Sequence, residues 1–137
     1  MMENKSKRIL VVDDTDSNRT LLSLLLIQEG YNVVSASSGK EALNACYNNN
    51  IDLCILDVKM PGMTGFELAV NLRKDKKTAS IPFVFISSND SKKSMLEGNY
   101  LGAIDYIAKP IAPKYFIHKI RAYFHYINSE QQVLLES

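Results

Sequence analysis

The 137-residue chain has few of the residues on which zinc clusters, disulfide scaffolds and nucleotide-binding loops depend. Its two cysteines, Cys46 and Cys54, lie eight positions apart with no nearby histidine, which is a poor zinc pattern. Cys54 lies in an apolar run and Cys46 in a helix-like segment, so we expect reduced thiols in the core and a reducing, cytosolic setting. The glycines form neither the P-loop nor the dinucleotide-binding pattern, which argues against a nucleotide-binding loop.

The chain also carries little net charge and has no long apolar run. The formal net charge is +1, so bulk electrostatics do not indicate binding to membranes or nucleic acid, and we expect no direct nucleic-acid contact. The basic stretch at 5–8 is followed by only four apolar residues before Asp13, too few for a signal peptide. The longest apolar-rich run, 21–27, is too short to span a bilayer. We therefore expect a cytoplasmic protein with no membrane insertion.

The chain does contain a regular alternation of strand and helix patterns. Apolar runs predict strands at 8–13, 31–36, 51–57, 82–87 and 103–108. Helical spacing predicts helices at 16–29, 38–47, 64–74, 91–101 and from 113 to at least 127. Two of these helices open with capping-box patterns, Ser38 with Glu41 and Thr64 with Glu67. Five such strand–helix units favour a doubly wound α/β fold with a parallel sheet covered on both faces.

The last helix carries an apolar seam that continues past the expected end of the domain. Ile120, Ile127 and Leu134 lie seven residues apart, as in a coiled-coil heptad. We predict a domain over 7–127, an N-terminal tail at 1–6 and a helical extension or linker at 128–137. The extension is either a frayed helix end or a signalling helix that leads to another domain in a longer parent chain.

Acidic, hydroxyl and basic side chains stand where the predicted strands end. In chain order, these strand ends read Asp13-Asp14, Asp57, Ser87-Ser88 and Lys109-Pro110. Ligands of open parallel sheets bind at the carboxyl ends of the strands, and the order 2-1-3-4-5 makes strands one and three neighbours. Three carboxylates would then repel one another, which a hard divalent cation such as Mg²⁺ would relieve. The alternative, that Asp13 and Asp14 merely cap the next helix, does not require two adjacent acids.

Four segments resemble the receiver domains of two-component response regulators, over about residues 7–127. They are VVDD at 11–14, LDVKMPGMTGFEL at 56–68, FISS at 85–88 and GAIDYIAKPI at 102–111. The resemblance implies a flavodoxin-like (βα)5 sandwich with five parallel strands in the order 2-1-3-4-5. It also implies a regulatory phosphoacceptor domain, which is not an enzyme and catalyses only its own phosphorylation and dephosphorylation.

The resemblance assigns a role to each residue at the strand ends. Asp57 would be the phosphoacceptor, which takes its phosphoryl group from a histidine kinase or a phosphotransfer protein. Mg²⁺ or Mn²⁺ would be bound by the side chains of Asp13, Asp14 and Asp57 and by the backbone carbonyl of Lys59. The phosphate-binding residues would be Ser87, Ser88 and Lys109, the switch residues Ser87 and Tyr106, and the cis peptide bond Lys109-Pro110.

The resemblance also implies an output. Phosphorylation would change the surface of the fourth helix, the fifth strand and the fifth helix. That surface would contact a downstream effector domain or protein, or a second copy of the chain in a phosphorylation-dependent homodimer. The chain is expected to be the N-terminal receiver of a longer signalling protein or, alternatively, a single-domain regulator.

Some features depart from the family pattern, and other functions remain open. Ser88 stands where the family usually has alanine or glycine, and Lys59 and Asn89 occupy positions that tune phosphate lifetime. A haloacid-dehalogenase-type phosphatase would need an aspartate at position 59, where lysine stands. A pseudo-receiver that works without phosphorylation would be expected to lack one of the acid, hydroxyl and lysine groups. His118 and His125 are expected to face solvent, which disfavours a metal site there.

Overall fold

The computed structural model describes residues 7–136, in which five strands and five helices alternate. The strands are β1 (Arg8–Val12), β2 (Asn32–Ala36), β3 (Leu53–Asp57), β4 (Phe83–Ser87) and β5 (Tyr106–Ala108). The helices are α1 (Asp16–Gln28), α2 (Gly39–Asn48), α3 (Gly65–Lys74), α4 (Lys92–Tyr100) and α5 (Pro113–Glu136). Strand β5 is shorter than the predicted range 103–108, and the Ala103 N–H donates to the Gly98 carbonyl of α4 instead of to the neighbouring strand.

The strands form one parallel sheet in the order β2-β1-β3-β4-β5, which confirms the predicted topology. The chain leaves β1 toward one edge of the sheet and returns through β3 toward the other. Strand order therefore reverses between β1 and β3, where Val12 lies opposite Leu56. The residues that follow these two strands meet at the carboxyl edge of the sheet, where such folds bind ligands.

Two apolar cores lie on opposite faces of the sheet, because successive side chains of a strand point to opposite sides. One core joins strand residues such as Leu10, Leu56 and Phe85 to the inner sides of α2 and α3. The other joins Ile55 and its neighbours to Phe116 of α5 and to the inner side of α1. Burial on both faces explains why the inner strands read as continuous apolar runs.

The helix caps follow the sequence pattern at α3 and only partly at α2. Thr64 accepts from the Glu67 N–H and Glu67 accepts from the Thr64 N–H, which completes the predicted capping box. Ser38 accepts from the Glu41 N–H, but the Glu41 carboxylate turns to the N–H and hydroxyl of Ser37. The predicted bond from the Ser38 N–H to the Glu41 carboxylate was therefore wrong, since Ser37 offers that carboxylate two donors.

Helix α5 begins at Pro113, where proline costs no hydrogen bond, and reaches Glu136. Its inner face buries Ile120 and Phe124, while Ile127 is half-buried. Leu134 lies beyond residue 131, past which no side chain is described, and the predicted tail at 1–6 and Ser137 also lie outside the described residues. The boundaries predicted at 7, 127 and 128 stay predictions. Across the described part of the chain, every helix is too short or too polar to cross a membrane.

Candidate functional site

Three carboxylates meet at the carboxyl edge of β1 and β3. Asp13 and Asp14 follow β1, and Asp57 is the last residue of β3. Their carboxylate oxygens lie within 4.8 Å of one another. Asp13 and Asp57 are buried, with 1% and 4% of their surfaces exposed, and Asp14 is exposed. The buried strand β3 thus ends in a charged residue because Asp57 belongs to an acidic group at the sheet edge.

Lys109 brings one positive charge to this group from the far side of β4. Its Nζ lies 3.3 Å from Asp13 Oδ2 and 3.3 Å from Asp57 Oδ1. The Lys109 N–H donates to the Ser87 carbonyl at 2.9 Å, which fixes the segment after β5 beside the end of β4. Its side chain is 22% exposed, so the ion pairs are partly shielded from water. One ammonium against three carboxylates leaves an excess of negative charge.

The acidic surroundings change the protonation of Asp57. Burial raises the pKa of Asp57 to about 6, and the charge of Asp13 adds to the rise, whereas Lys109 lowers that pKa in part. A bound cation would favour the charged carboxylate and reverse this effect. The donors are all carboxylate oxygens, which suit a hard ion such as Mg²⁺ better than a soft one. The residues present therefore fit a magnesium site.

Local contacts hold Asp13 in place, and one of them involves a residue that sequence reasoning missed. The Thr15 N–H donates to Asp13 Oδ1 at 2.9 Å, so Asp13 also forms a short turn before α1. Arg19 donates from NH1 to the Asp13 carbonyl at 2.7 Å and pairs with Asp16. The spacing of Asp16 and Arg19 on the first turn was the available signal, since residues three apart on a helix are neighbours.

The hydroxyl residues and Lys59 lie around the acidic group. Ser87 is fully buried at the end of β4, and its Oγ accepts from the Asn89 N–H at 3.0 Å. Ser88 is exposed and, with Lys109, lines a surface cavity of about 390 Å³. Lys59 is exposed in the loop after β3. The Lys109-Pro110 peptide bond is cis.

Tyr106 connects β5 to the start of α4. Its hydroxyl lies 2.7 Å from Ser94 Oγ and donates to the Asn89 carbonyl, two residues beyond Ser87. The ring is half-buried and its centroid is 6.3 Å from that of Phe85. Ser94 was not predicted from sequence, because nothing distinguishes a helical serine that bonds a neighbouring element from one that faces solvent.

The two histidines lie away from this site. His118 and His125 are exposed on α5. Within the described residues, the cluster of metal-ligating side chains is formed by Asp13, Asp14 and Asp57. The metal chemistry that the structure can support therefore lies at the sheet edge.

The raised pKa of Asp57 predicts a pH dependence for the metal-free protein. Between the ordinary pKa of 3.8 and about 6, the folded chain keeps the proton that the unfolded chain releases. The free energy of unfolding therefore falls as pH rises through this window, by about 3 kcal/mol in total. Asp57→Asn removes the titration, so in EDTA the variant should exceed wild type by about 3 kcal/mol at pH 7. Urea unfolding at pH 4 and pH 7 checks this, and a stability difference that does not change with pH would contradict it.

The comparisons with known proteins identify the class. The family description "Response regulator receiver domain" matches residues 9–121. The chain therefore belongs to the response regulator receiver domain family, whose members are regulatory domains of two-component systems. Response regulators interact with histidine kinases and effector domains, and their receiver domains bind Mg²⁺ through acidic residues such as those clustered here.

Individual relatives agree with this assignment. The transcriptional regulatory protein SrrA of Staphylococcus aureus is 35% identical over 117 residues, which are 85% of this chain and 47% of SrrA. The chain thus spans about half the length of the curated relatives it matches.

Solved structures show the same CheY-like, flavodoxin-like fold. The chemotaxis protein CheY4 of Vibrio cholerae is 32% identical with a TM-score of 0.80, covering 85% of this chain and 97% of its own. A CheY-like receiver domain protein from Methanospirillum hungatei is 29% identical with a TM-score of 0.83, covering 90% and 98%.

Proposed function

We propose that the domain accepts a phosphoryl group onto Asp57 in a Mg²⁺-dependent reaction. The observation that carries this proposal is the acidic group itself. A buried carboxylate at a strand end lies beside two further carboxylates and in contact with Lys109. A structural ion pair would need no third acid, whereas a phosphorylation site needs both a metal site and a fixed cation.

The metal would be bound by Asp14 and Asp57 directly, by Asp13 through water and by the backbone carbonyl of Lys59. When bound, Mg²⁺ or Mn²⁺ supplies positive charge that offsets the repulsion between the carboxylates and an incoming phosphoryl group. The exposed position of Asp14 leaves one side of the group open to solvent, from which ion and donor can both enter.

The chain's own residues position and neutralise the reacting groups. An Asp57 carboxylate oxygen attacks the phosphorus of a phosphohistidine, the P–N bond breaks and the histidine nitrogen leaves. The ammonium of Lys109, already 3.3 Å from Asp57 Oδ1, pairs with the transferred phosphoryl oxygens. Ser87 donates its hydroxyl to the phosphoryl group, and Ser88 borders the same space.

The switch uses Ser87 and Tyr106. When Ser87 turns toward the phosphoryl group, its acceptor contact with the Asn89 N–H is released. Because the Tyr106 hydroxyl is bound to the Asn89 carbonyl, movement of this loop frees Tyr106 to rotate inward. The surface formed by α4, β5 and α5 then changes shape, and it offers the new face to an effector or to a second phosphorylated copy.

The expected partners follow from the class. The phosphoryl donor is a histidine kinase or a phosphotransfer protein. The phosphorylated domain then acts on a downstream effector domain or protein, in the cytoplasm. We propose that residues 7–127 form the N-terminal receiver of a longer signalling protein, with 128–137 as its helical extension or linker. The match to about half of SrrA agrees with this reading, whereas the match to 97% of the CheY4 chain agrees with the alternative of a single-domain regulator.

A pseudo-receiver is the second candidate, since such a module would bind partners without phosphorylation. The complete set of Asp13, Asp14, Asp57, Ser87 and Lys109 at one sheet edge favours a working phosphoacceptor instead.

Incubation with a small phosphodonor tests the proposal. With acetyl phosphate and Mg²⁺, intact-mass measurement should show a gain of one phosphoryl group, and EDTA should abolish the gain. The Lys109→Ala variant should incorporate markedly less, because the fixed positive charge is lost. A gain that persists in EDTA would overturn the metal dependence. A chain that gains nothing and also fails to bind beryllofluoride would support the pseudo-receiver.

A further inference from the structure

A second reactive group lies in the core, away from the acidic group. The Sγ atoms of Cys46 and Cys54 are 3.7 Å apart, and both thiols are free. The side chains are buried, with 2% and 0% of their residue surfaces exposed. This confirms the expectation of reduced core thiols. It adds a contact that the spacing of eight residues does not predict.

The fold explains why the two sulfurs meet. Cys46 lies on the inner face of α2, on the same side as the buried Ala42. Cys54 is the second residue of β3 and projects into the same apolar core, between β3 and α2. A disulfide bond joins sulfurs about 2.05 Å apart, so the two atoms need to approach by only about 1.7 Å.

The two thiols are not equivalent. The contact between the two thiols lowers the pKa of Cys46, whereas the same contact and burial raise the pKa of Cys54. Cys46 is also the less deeply buried residue, 2% against 0% exposed, so we assign the first reaction with an oxidant to its sulfur. A surface cavity of about 790 Å³ between α2 and α3 is lined by Leu43 and Tyr47, which flank Cys46 along the helix. Neither cysteine lines this cavity, so a small oxidant reaches the sulfurs from it only when α2 and α3 open locally.

We propose that Cys46 and Cys54 form a redox-responsive dithiol that a peroxide converts into an intramolecular disulfide. The Cys46 sulfur attacks one peroxide oxygen, the O–O bond breaks, and a sulfenic acid and one water form. The Cys54 sulfur then attacks the Cys46 sulfur, the S–O bond breaks, and the leaving oxygen takes the Cys54 proton as a second water. Two thiols and one hydrogen peroxide thus yield one disulfide and two waters.

The disulfide would connect α2 to β3 three residues before Asp57. A covalent link in place of a thiol contact restrains the strand that carries the carboxylate of the site. This inference stands on the two sulfurs alone and does not require that Asp57 be phosphorylated. It adds an oxidation site to a domain whose proposed signal is a phosphoryl group.

Thiol counting on the folded full chain tests the proposal. The chain is treated with hydrogen peroxide, freed of oxidant, unfolded and alkylated, and the number of alkylated cysteines is measured by mass. We expect alkylation to fall from two cysteines to none in the monomer, to return to two after dithiothreitol, and a peptide map to link 46 to 54. Alkylation is the readout because peroxide also oxidises methionine, of which the chain has five.

Cys46→Ala and Cys54→Ala are the matched controls, since each leaves one thiol in the same core. Each variant should show no internal disulfide. The proposal is overturned if both cysteines of the folded wild type stay alkylatable under peroxide that oxidises free glutathione completely. Irreversible loss of alkylation, without a linked peptide, would also overturn it because it indicates over-oxidation of separate thiols.

Discussion

Asp57→Asn should reduce phosphoryl incorporation from acetyl phosphate to background while leaving the domain folded. The amide has nearly the same shape as the carboxylate but lacks the negatively charged oxygen that acts as the nucleophile. The substitution also removes one charged ligand from the acidic group. Because the metal-free carboxylate is destabilising at neutral pH, the variant should not be less stable than wild type in EDTA. The measurement is intact mass after a fixed time with donor and Mg²⁺.

Asp52→Asn is the matched control for this experiment. Asp52 precedes β3 at the opposite end of the strand, where its Oδ2 accepts from the Arg8 N–H at 2.7 Å. An amide oxygen can accept the same bond, so incorporation should stay at the wild-type level. Equal incorporation by Asp57→Asn and wild type would place the acceptor elsewhere.

Gly65→Ala should destabilise the fold by about 3 kcal/mol or more and disturb the position of Asp57. A Cβ at residue 65 would lie 2.3 Å from the Asp57 carbonyl oxygen and 3.0 Å from the Val58 Cα. These are backbone atoms that no side-chain rotation can move away. The Gly65 N–H also donates to the Val58 carbonyl at 2.9 Å, so the clash would strain the first turn of α3.

Gly62→Ala separates this packing effect from the general cost of losing a glycine. Gly62 has φ +79°, but no atom lies within 4 Å of the position of its Cβ. Gly62→Ala should lower the free energy of unfolding by only about 1–2 kcal/mol, because alanine is strained in the left-handed backbone conformation. Urea unfolding of the two variants under one condition gives the comparison. A loss for Gly65→Ala no greater than that for Gly62→Ala would contradict the close approach of α3 to Asp57.

The order of elements and the acidic group could be predicted from sequence because both depend on local patterns. Continuous β-branched runs predict strands buried on both faces, and the alternation with helices limits the topology to a few arrangements. Asp13 and Asp57 follow such runs directly, so a parallel sheet with strands one and three adjacent places them together. The resemblance to receiver domains then supplied the strand order itself.

Other contacts depend on distances of a few tenths of an ångström that no local pattern specifies. The Glu41 carboxylate accepts from the Ser37 N–H and not from the Ser38 N–H, although the capping-box spacing predicted the bond to Ser38. The hydroxyl contact of Tyr106 with Ser94 joins β5 to α4. How closely these two elements approach each other is determined by the packing of the core, which no local pattern shows. The contact of Cys46 with Cys54 is of the same kind.

The location of the phosphoryl group is the most direct test of the central claim. The chain phosphorylated by acetyl phosphate and Mg²⁺ is reduced with borohydride, which converts an aspartyl phosphate to homoserine, and its peptides are then mapped by mass. The account predicts homoserine at position 57 and at no other aspartate. A modification at Asp13 or Asp14, or a phosphoryl group that borohydride does not remove, would contradict it.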